Sequence, residues 1–196
     1  MTNQADIAAL LGSRICHDLI SPIGAIGNGV ELLMMEGGTP SPELTLIAES
    51  VASATARIRF FRVAFGLTDG DQRIGRAELT KTLSDYSQGG RVSIEWDIPG
   101  NVLRREAKLA FLAIQCCETA LAYGGRISVT LEDEKWQVDV SAERLRIDPD
   151  HWATLSKPAG ELTPAQVHFA LFPAALSQQN RRLRAEMTET TIKLNF

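Results

Sequence analysis

The first third of the chain has the hydrophobic period of long α-helices. Between residues 7 and 33, apolar side chains recur at spacings of three and four, which places them on one helix face. This apolar stripe consists of Ile7, Leu11, Ile15, Leu19, Ile23, Ile26, Val30 and Leu33. A turn signal at residues 37–42 follows, where Ser41 and Pro42 are suited to cap and open a second helix. The second helix repeats the period at Leu44, Ile47, Val51, Ala54, Ile58, Phe61 and Phe65.

The two helices together predict a hairpin with more apolar surface than it can bury alone. Phe60, Val63 and Leu67 lie off the seam of the second helix, and the first helix keeps its own stripe. A two-helix hairpin rarely makes a sufficient core, whereas two paired hairpins form a four-helix bundle. We therefore predict a homodimer built on the hairpin of residues 1–70.

The spacing of hydrophobic residues changes after a polar linker at residues 68–72. A helix at 76–87 leads to a strictly alternating strand at 91–97, and four further alternating segments follow. These segments are residues 127–131, 136–140, 183–187 and 192–196. Two helices lie between these strands. The first is a long helix at 103–123, closed by Gly124 and Gly125, and the second begins at Thr163 with Pro164 in its first turn. Helices on one face of a mixed sheet predict an α/β sandwich over residues 76–196, and hence an α+β chain.

His17 is the strongest candidate for chemistry. It lies two residues from both Ile15 and Leu19, so at about 100° per residue it points away from the apolar stripe and toward water. Pro22, five residues on, removes a backbone donor and costs a helix about 3 kcal/mol, which suggests a functional reason for its presence. Small residues share the His17 face at helical spacing and leave room for a docking protein. These candidate partner-binding residues are Ser13, Ser21, Gly24 and Asn28.

Composition narrows the class of protein. A net charge of −4 argues against nonspecific nucleic-acid binding, and the basic strip of Arg57, Arg59 and Arg62 fits a solvated helix face better than a docking site. No apolar run approaches the roughly 18 residues of a membrane span, and no signal core is present, so we expect a cytoplasmic protein without a membrane partner. The three cysteines lack metal-ligand spacing and are expected to be reduced.

The string His17-Asp18-Leu19-Ile20-Ser21-Pro22 resembles the phosphoacceptor box of two-component histidine kinases. The order of a hairpin followed by a sandwich resembles the core of the same kinases, in which a dimerisation and phosphotransfer domain precedes an ATP-binding domain. The resemblance implies that His17 is a phosphohistidine. Asp18 would orient the imidazole or take its proton, although a plain surface acid is the alternative.

The nucleotide motifs of that family are missing from the second part. Gln115 and Thr119 stand where the kinases place two Asn residues, one of which holds magnesium. Residues 140–145 replace the Asp-x-Gly-x-Gly loop and contain neither Asp nor Gly, and no Walker-type loop occurs. A phosphoacceptor box without ATP motifs resembles the ChpT-type histidine phosphotransferases.

That family implies a phosphorelay function. A phosphoryl group would arrive on His17 from the receiver domain of a hybrid kinase and leave to the receiver domains of response regulators. The receiver would supply Mg²⁺, so no metal, cofactor or ATP is expected on this chain. A diverged active kinase and a noncatalytic receiver-binding dimeric scaffold are the two alternatives. His151, beside Pro149 and Asp150, is expected at the start of a helix, and both His151 and His168 are expected to be structural.

Overall fold

The computed structural model describes residues 4–36, 41–68, 70–157 and 163–196. It divides into two compact units, Met1–Leu67 and Thr68–Phe196. The predicted domain limits at residues 70 and 76 lie close to this division, whereas the predicted turn at 37–40 falls outside the described residues. No helix in the described ranges is long and apolar enough to cross a membrane.

The first unit is a helical hairpin of α1 (Gln4–Glu36) and α2 (Pro42–Ala64). Ser41 caps α2 as predicted, because its Oγ accepts the backbone N–H of Leu44 at 3.3 Å. Pro42 occupies the first helical position, where its missing N–H costs nothing. Helix α1 continues through Pro22, so the proline lies inside the element that contains His17.

Helix α1 packs against α2 mainly through small residues, and of the predicted apolar stripe Val30 is buried with them. A Cβ on Gly12 would lie 3.1 Å from the Cβ of Phe65, and one on Gly27 would lie 3.3 Å from Cγ1 of Val51. Both distances show that side chains of the second helix and its C-cap pack directly against the α1 backbone. The residues of α1 that become buried are Ala9, Cys16 and Val30. The contact face is therefore turned by about one residue, roughly 100°, from most of the predicted stripe.

The predicted stripe is left largely uncovered in the single chain. Its side chains with 43–61 % exposure are Leu11, Ile15, Leu19, Ile26 and Leu33. The prediction that Phe60, Val63 and Leu67 leave apolar surface of α2 uncovered was wrong. Phe60 and Val63 are buried, and Leu67 is half-buried. Ile58, two residues from Phe60, is also buried. The exposed apolar residues of α2 are instead Leu46 and Ile47 near its start.

The second unit alternates strands and helices around a five-stranded sheet. Its elements are β1 (Arg73–Ile74), α3 (Arg76–Ser87), β2 (Val92–Asp97), β3 (Val102–Leu103), α4 (Arg104–Glu118), β4 (Gly125–Glu132), β5 (Lys135–Ser141), α5 (Pro149–Ala153), a 3₁₀ turn (Pro164–Gln166), α6 (Val167–Gln178), β6 (Arg184–Met187) and β7 (Thr191–Asn195). The strand order is β2-β4-β5-β7-β6, with β2 and β4 parallel and the remaining pairs antiparallel. The predicted mixed sheet and the α+β class are confirmed.

One face of the sheet forms the core of this unit. Trp96, Val129, Val138 and Leu194 are neighbours in register across four strands, and all are buried. Helix α3 packs against β2, and α4 packs against β4, β5 and α6. Period-two alternation on the strands therefore directs one set of side chains under the helices and the other toward solvent.

Three local predictions need correction or addition. Helix α4 ends at Glu118 rather than at residue 123, because Oγ1 of Thr119 donates to the carbonyl of Cys116 and turn bonds replace the helical ones. Gly124 adopts the left-handed φ of +95° and opens the turn into β4 instead of closing the helix directly. The two-residue strands β1 and β3 were not predicted, whereas α5 begins at Pro149, at the helix start expected around His151. A capping box between Thr163 and Gln166 opens the 3₁₀ turn that leads into α6, so helical structure begins where it was predicted, although the α-helix itself starts at Val167.

Candidate functional site

His17 lies on the exposed face of α1, as its helical phase predicts. Its side chain is 85 % exposed, one residue after the buried Cys16. Burial raises the pKa of the Cys16 thiol, while the Arg62 guanidinium lowers it in part. The thiol is therefore packed and protonated at neutral pH, and the imidazole is the accessible nucleophile of this turn.

Asp18 connects His17 to a residue that sequence reasoning did not single out. Oδ1 of Asp18 lies 3.1 Å from Nδ1 of His17, and Oδ2 accepts a hydrogen bond from Nε of Arg14 at 2.6 Å. Arg14 and Asp18 are four residues apart on one helix, which is the spacing of neighbouring side chains. That spacing was the available signal for Arg14 in the sequence. The three side chains form a row from Arg14 through Asp18 to His17.

The electrostatics of the row select one tautomer of His17. The hydrogen bond from His17, followed by that from Arg14, holds the pKa of Asp18 below its usual value. Asp18 is thus ionised at neutral pH, and an ionised carboxylate can only accept hydrogen bonds. The neutral imidazole must therefore carry its hydrogen on Nδ1. Its Nε2 atom then keeps a lone pair, which is the requirement for a nucleophile.

The predicted partner-binding residues surround His17 on the same helix. Ser21 and Asn28 are exposed, whereas Ser13 and Gly24 are half-buried. A Cβ placed on Gly24 would meet nothing within 4 Å among the described residues, so space is open there. The structure places these residues on the helix that presents His17, and their role in binding a partner stays a prediction.

The positions that hold nucleotide in kinases carry different side chains here. Oγ1 of Thr119 is engaged with the carbonyl of Cys116, and Gln115 keeps a buried Oε1 without a hydrogen-bond partner among the described residues. In the stretch that replaces the glycine loop, two backbone N–H groups are bonded within the second unit. Ala142 donates to the carbonyl of Thr190 at 3.0 Å, and Leu145 donates to Glu189 at 2.9 Å. Such occupied donors cannot cradle a phosphate.

His151 and His168 lie where α5 meets α6. Asp148 Oδ2 lies 3.2 Å from Nδ1 of His151, and the His151 ring is 5.9 Å from that of Phe169. His168 is buried, and its ring centroid is 4.8 Å from that of Phe169. Burial, with the neighbouring His151, lowers the pKa of His168 to about 4. Both rings contribute to packing in the second unit.

Comparisons with known proteins agree with this arrangement. The family described as "Histidine phosphotransferase C-terminal domain" matches residues 76–191. The chain is also 35 % identical over 150 residues to "Protein phosphotransferase ChpT" of Brucella abortus (strain 2308), over 74 % of this chain and 71 % of that protein.

The chain belongs to the ChpT-type histidine phosphotransferases. The resemblance deduced from the phosphoacceptor box and the missing ATP motifs is thereby confirmed, and the chain is a phosphotransferase of the phosphorelay class. A solved structure, "1.7 Angstrom Structure of a Bacterial Phosphotransferase", is 28 % identical with a TM-score of 0.72, over 100 % of this chain and 97 % of that one.

A histidine kinase shares the fold of this phosphotransferase at a distance. The full-length ShkA structure, solved in complex with AMPPNP, is 12 % identical with a TM-score of 0.50, over 96 % of this chain and 45 % of that one. This likeness supports the kinase-like fold of the chain and extends no further. The family match at residues 76–191 does not include His17, so the phosphoacceptor rests on the geometry described above.

Proposed function

We propose that His17 is the phosphoacceptor of this phosphotransferase and exchanges a phosphoryl group with the aspartates of receiver domains. The observation that carries the proposal is an exposed imidazole whose Nδ1 is engaged by Asp18, within a phosphoacceptor string. The donor is an aspartyl phosphate on the receiver of a hybrid kinase. The acceptors are the corresponding aspartates of response regulators.

The transfer needs no redox partner and no group beyond the two proteins and a metal ion. The Nε2 lone pair of His17 forms the N–P bond, the P–O bond of the aspartyl phosphate breaks, and its electron pair leaves with the aspartate carboxylate. The product is an N-phosphoimidazolium that keeps its Nδ1 hydrogen bonded to Asp18. Transfer to the next receiver reverses these steps, with a carboxylate oxygen as nucleophile. Such reactions depend mainly on positioning and charge neutralisation, and Mg²⁺ in the receiver supplies the latter.

We further propose that the chain works as a homodimer through the apolar stripe of α1. Five side chains of the stripe stay 43–61 % exposed after the hairpin has formed, namely Leu11, Ile15, Leu19, Ile26 and Leu33. Contiguous exposed apolar surface of this kind is typical of an interaction site. A second hairpin presents the same stripe, so a symmetric four-helix bundle buries both copies. His17 is about 160° around the helix from this stripe and stays accessible in such a bundle.

The second unit is proposed to contribute to receiver binding in place of nucleotide binding. Its kinase-like sandwich is intact, whereas the backbone donors of Ala142 and Leu145 are engaged by carbonyls of the same unit. A domain linked closely to His17 has a high effective concentration for any partner already docked there. Deleting residues 76–196 should therefore weaken receiver binding or slow transfer.

The test of this function is transfer of label from a ³²P-phosphorylated receiver domain to the full chain. We expect acid-labile label on the wild type and none on His17→Gln, with circular dichroism unchanged because the side chain is exposed. His151→Gln is the matched control and should accept label, since that ring lies in the second unit. Labelling of His17→Gln would refute the phosphoacceptor assignment. Receiver binding without label in the wild type would favour a scaffold, and labelling by ATP would favour a kinase.

A further inference from the structure

We propose that Arg14 is a positioning residue of the phosphoryl transfer, which acts through Asp18 to keep the Nε2 atom of His17 free of hydrogen and directed at the partner. This inference rests on the proposed function of His17 and assigns a role to a residue outside the phosphoacceptor string. Arg14 lies one helical turn before Asp18, on the exposed side of α1.

The geometry of the carboxylate gives Arg14 this role. Asp18 has two oxygen atoms, of which one accepts from Arg14 Nε at 2.6 Å and the other lies 3.1 Å from His17 Nδ1. The shorter contact anchors the carboxylate, so its second oxygen stays aimed at the imidazole. Asp18 is 49 % exposed, and without the anchor its side chain would exchange the imidazole for water. Arg14 thus fixes an orientation that Asp18 alone would share with other rotamers.

The surrounding charges are consistent with this division of roles. In the described part of the chain, the charged groups that act on the Asp18 carboxylate are Arg14 and His17 on the same helix. From the helix packed against α1, Arg62 acts on the Cys16 thiol. The Arg14 hydrogen bond helps to hold the pKa of Asp18 low. A weakly basic carboxylate accepts the Nδ1–H bond without removing the proton.

Retention of that proton matters for both directions of transfer. When Nε2 forms the N–P bond, the ring becomes cationic, and the Asp18 carboxylate stabilises the charge through the Nδ1 hydrogen. When the N–P bond breaks, the departing group is a neutral imidazole, which leaves far more readily than an imidazolate. Loss of Arg14 should therefore slow acceptance onto His17 and donation from it.

The alternative is that Arg14 and Asp18 form an ordinary surface ion pair between neighbouring turns of a helix, which contributes little to stability and nothing to transfer. Lys81 and Asp85 provide a matched example, because Lys81 Nζ lies 3.1 Å from the Asp85 carboxylate at the same spacing on α3. Lys81→Gln breaks such a pair on a different helix. Effects that appear in Arg14→Gln and not in Lys81→Gln are specific to the His17 row.

The experiment combines ¹⁵N NMR of the imidazoles with transfer kinetics, using the full chain and the ³²P-phosphorylated receiver domain. The His17 resonances are assigned by their loss in His17→Gln. At alkaline pH, where imidazole is neutral, wild type and Lys81→Gln should show mainly the Nδ1–H tautomer. Arg14→Gln should shift His17 toward Nε2–H and slow acceptance roughly 10-fold or more, as when an orienting partner of a ligand imidazole is lost. Arg14→Lys should restore most of both properties.

Each alternative outcome has a distinct meaning. An unchanged tautomer and rate in Arg14→Gln would overturn the proposal in favour of a plain surface pair. A slower rate with an unchanged tautomer would also overturn it, because Arg14 would then act on the partner rather than through Asp18. Label on His17→Gln would refute His17 as the phosphoacceptor. The tautomer measurement does not depend on phosphorylation, so these two failures are distinguishable.

Discussion

Replacing Ile15 by Asp should dissociate the proposed dimer. Ile15 lies between Leu11 and Leu19 in the apolar stripe and is 50 % exposed in the single chain. Full burial of an Ile side chain stabilises by about 1.5–3 kcal/mol, so burial of the exposed half contributes about 1 kcal/mol. A two-fold interface contains the residue twice, which raises the loss to about 2 kcal/mol. The dimer dissociation constant should therefore rise at least about 30-fold.

The introduced carboxylate strengthens this effect, because a charge brought into an apolar interface without a partner is strongly disfavoured. Sedimentation velocity over a range of concentrations measures the dissociation constants of wild type and Ile15→Asp. Asn28→Asp is the matched control: it adds the same charge on the His17 face of α1 and should leave the dimer intact. Circular dichroism checks that all three proteins are equally helical.

Two results would contradict the reasoning. A wild-type chain that sediments as a folded monomer at all concentrations would show that the stripe does not pair. A dissociation constant for Ile15→Asp equal to that of wild type would show that the dimer forms through a different surface, such as the exposed Leu46 and Ile47 of α2.

Three further predictions concern the second unit. The buried His168 has its pKa lowered to about 4, so between about pH 6.5 and 4 only the unfolded chain takes up its proton. The free energy of unfolding should then fall by up to about 3 kcal/mol, and denaturant titrations should show a weaker acid dependence in His168→Gln. Gly124→Ala should lower the melting temperature more than Gly89→Ala. Both glycines have positive φ. A Cβ on Gly124 would lie 2.6 Å from the carbonyl oxygen of Arg91, whereas a Cβ on Gly89 would have no described atom within 4 Å. An equal decrease in melting temperature in the two variants would show that the contact with the Arg91 carbonyl is not the cause. Millimolar ATP with Mg²⁺ should not change the melting temperature, whereas a site of micromolar affinity would add about 4 kcal/mol by mass action.

Elements with strong local signals were predicted well from the sequence. Helix α3 has the predicted bounds of residues 76 and 87, and the four later strands fall on the predicted alternating segments. Ser41 caps α2, and Thr163 with Gln166 caps the 3₁₀ turn that leads into α6, because capping depends on side chains within one turn. The end of α4 was missed because Thr119 diverts its backbone with a local bond that competes with helix continuation.

The candidate site was likewise predicted only in part from the sequence. The exposure of His17 follows from helical phase, and its identity as a candidate follows from the string around it. The link from His17 through Asp18 to Arg14 required side-chain geometry, because spacing of four residues permits a contact without choosing which oxygen meets which nitrogen. Occupation of the Ala142 and Leu145 donors likewise depends on distant residues, because their acceptors are the carbonyls of Thr190 and Glu189.

The sequence by itself determined the helical hairpin, the kinase-like order of strands and helices, the water-facing histidine and the family. These properties depend on local period, caps and short motifs, which a single chain segment carries. Tertiary structure alone decided which face of α1 meets α2. Gly12 and Gly27 let Phe65 and Val51 pack directly against the α1 backbone, so the face with these glycines packs within the hairpin and most larger side chains of the apolar stripe stay exposed. A hydrophobic period shows that a face prefers burial, and only the packing of whole helices determines which surface covers it.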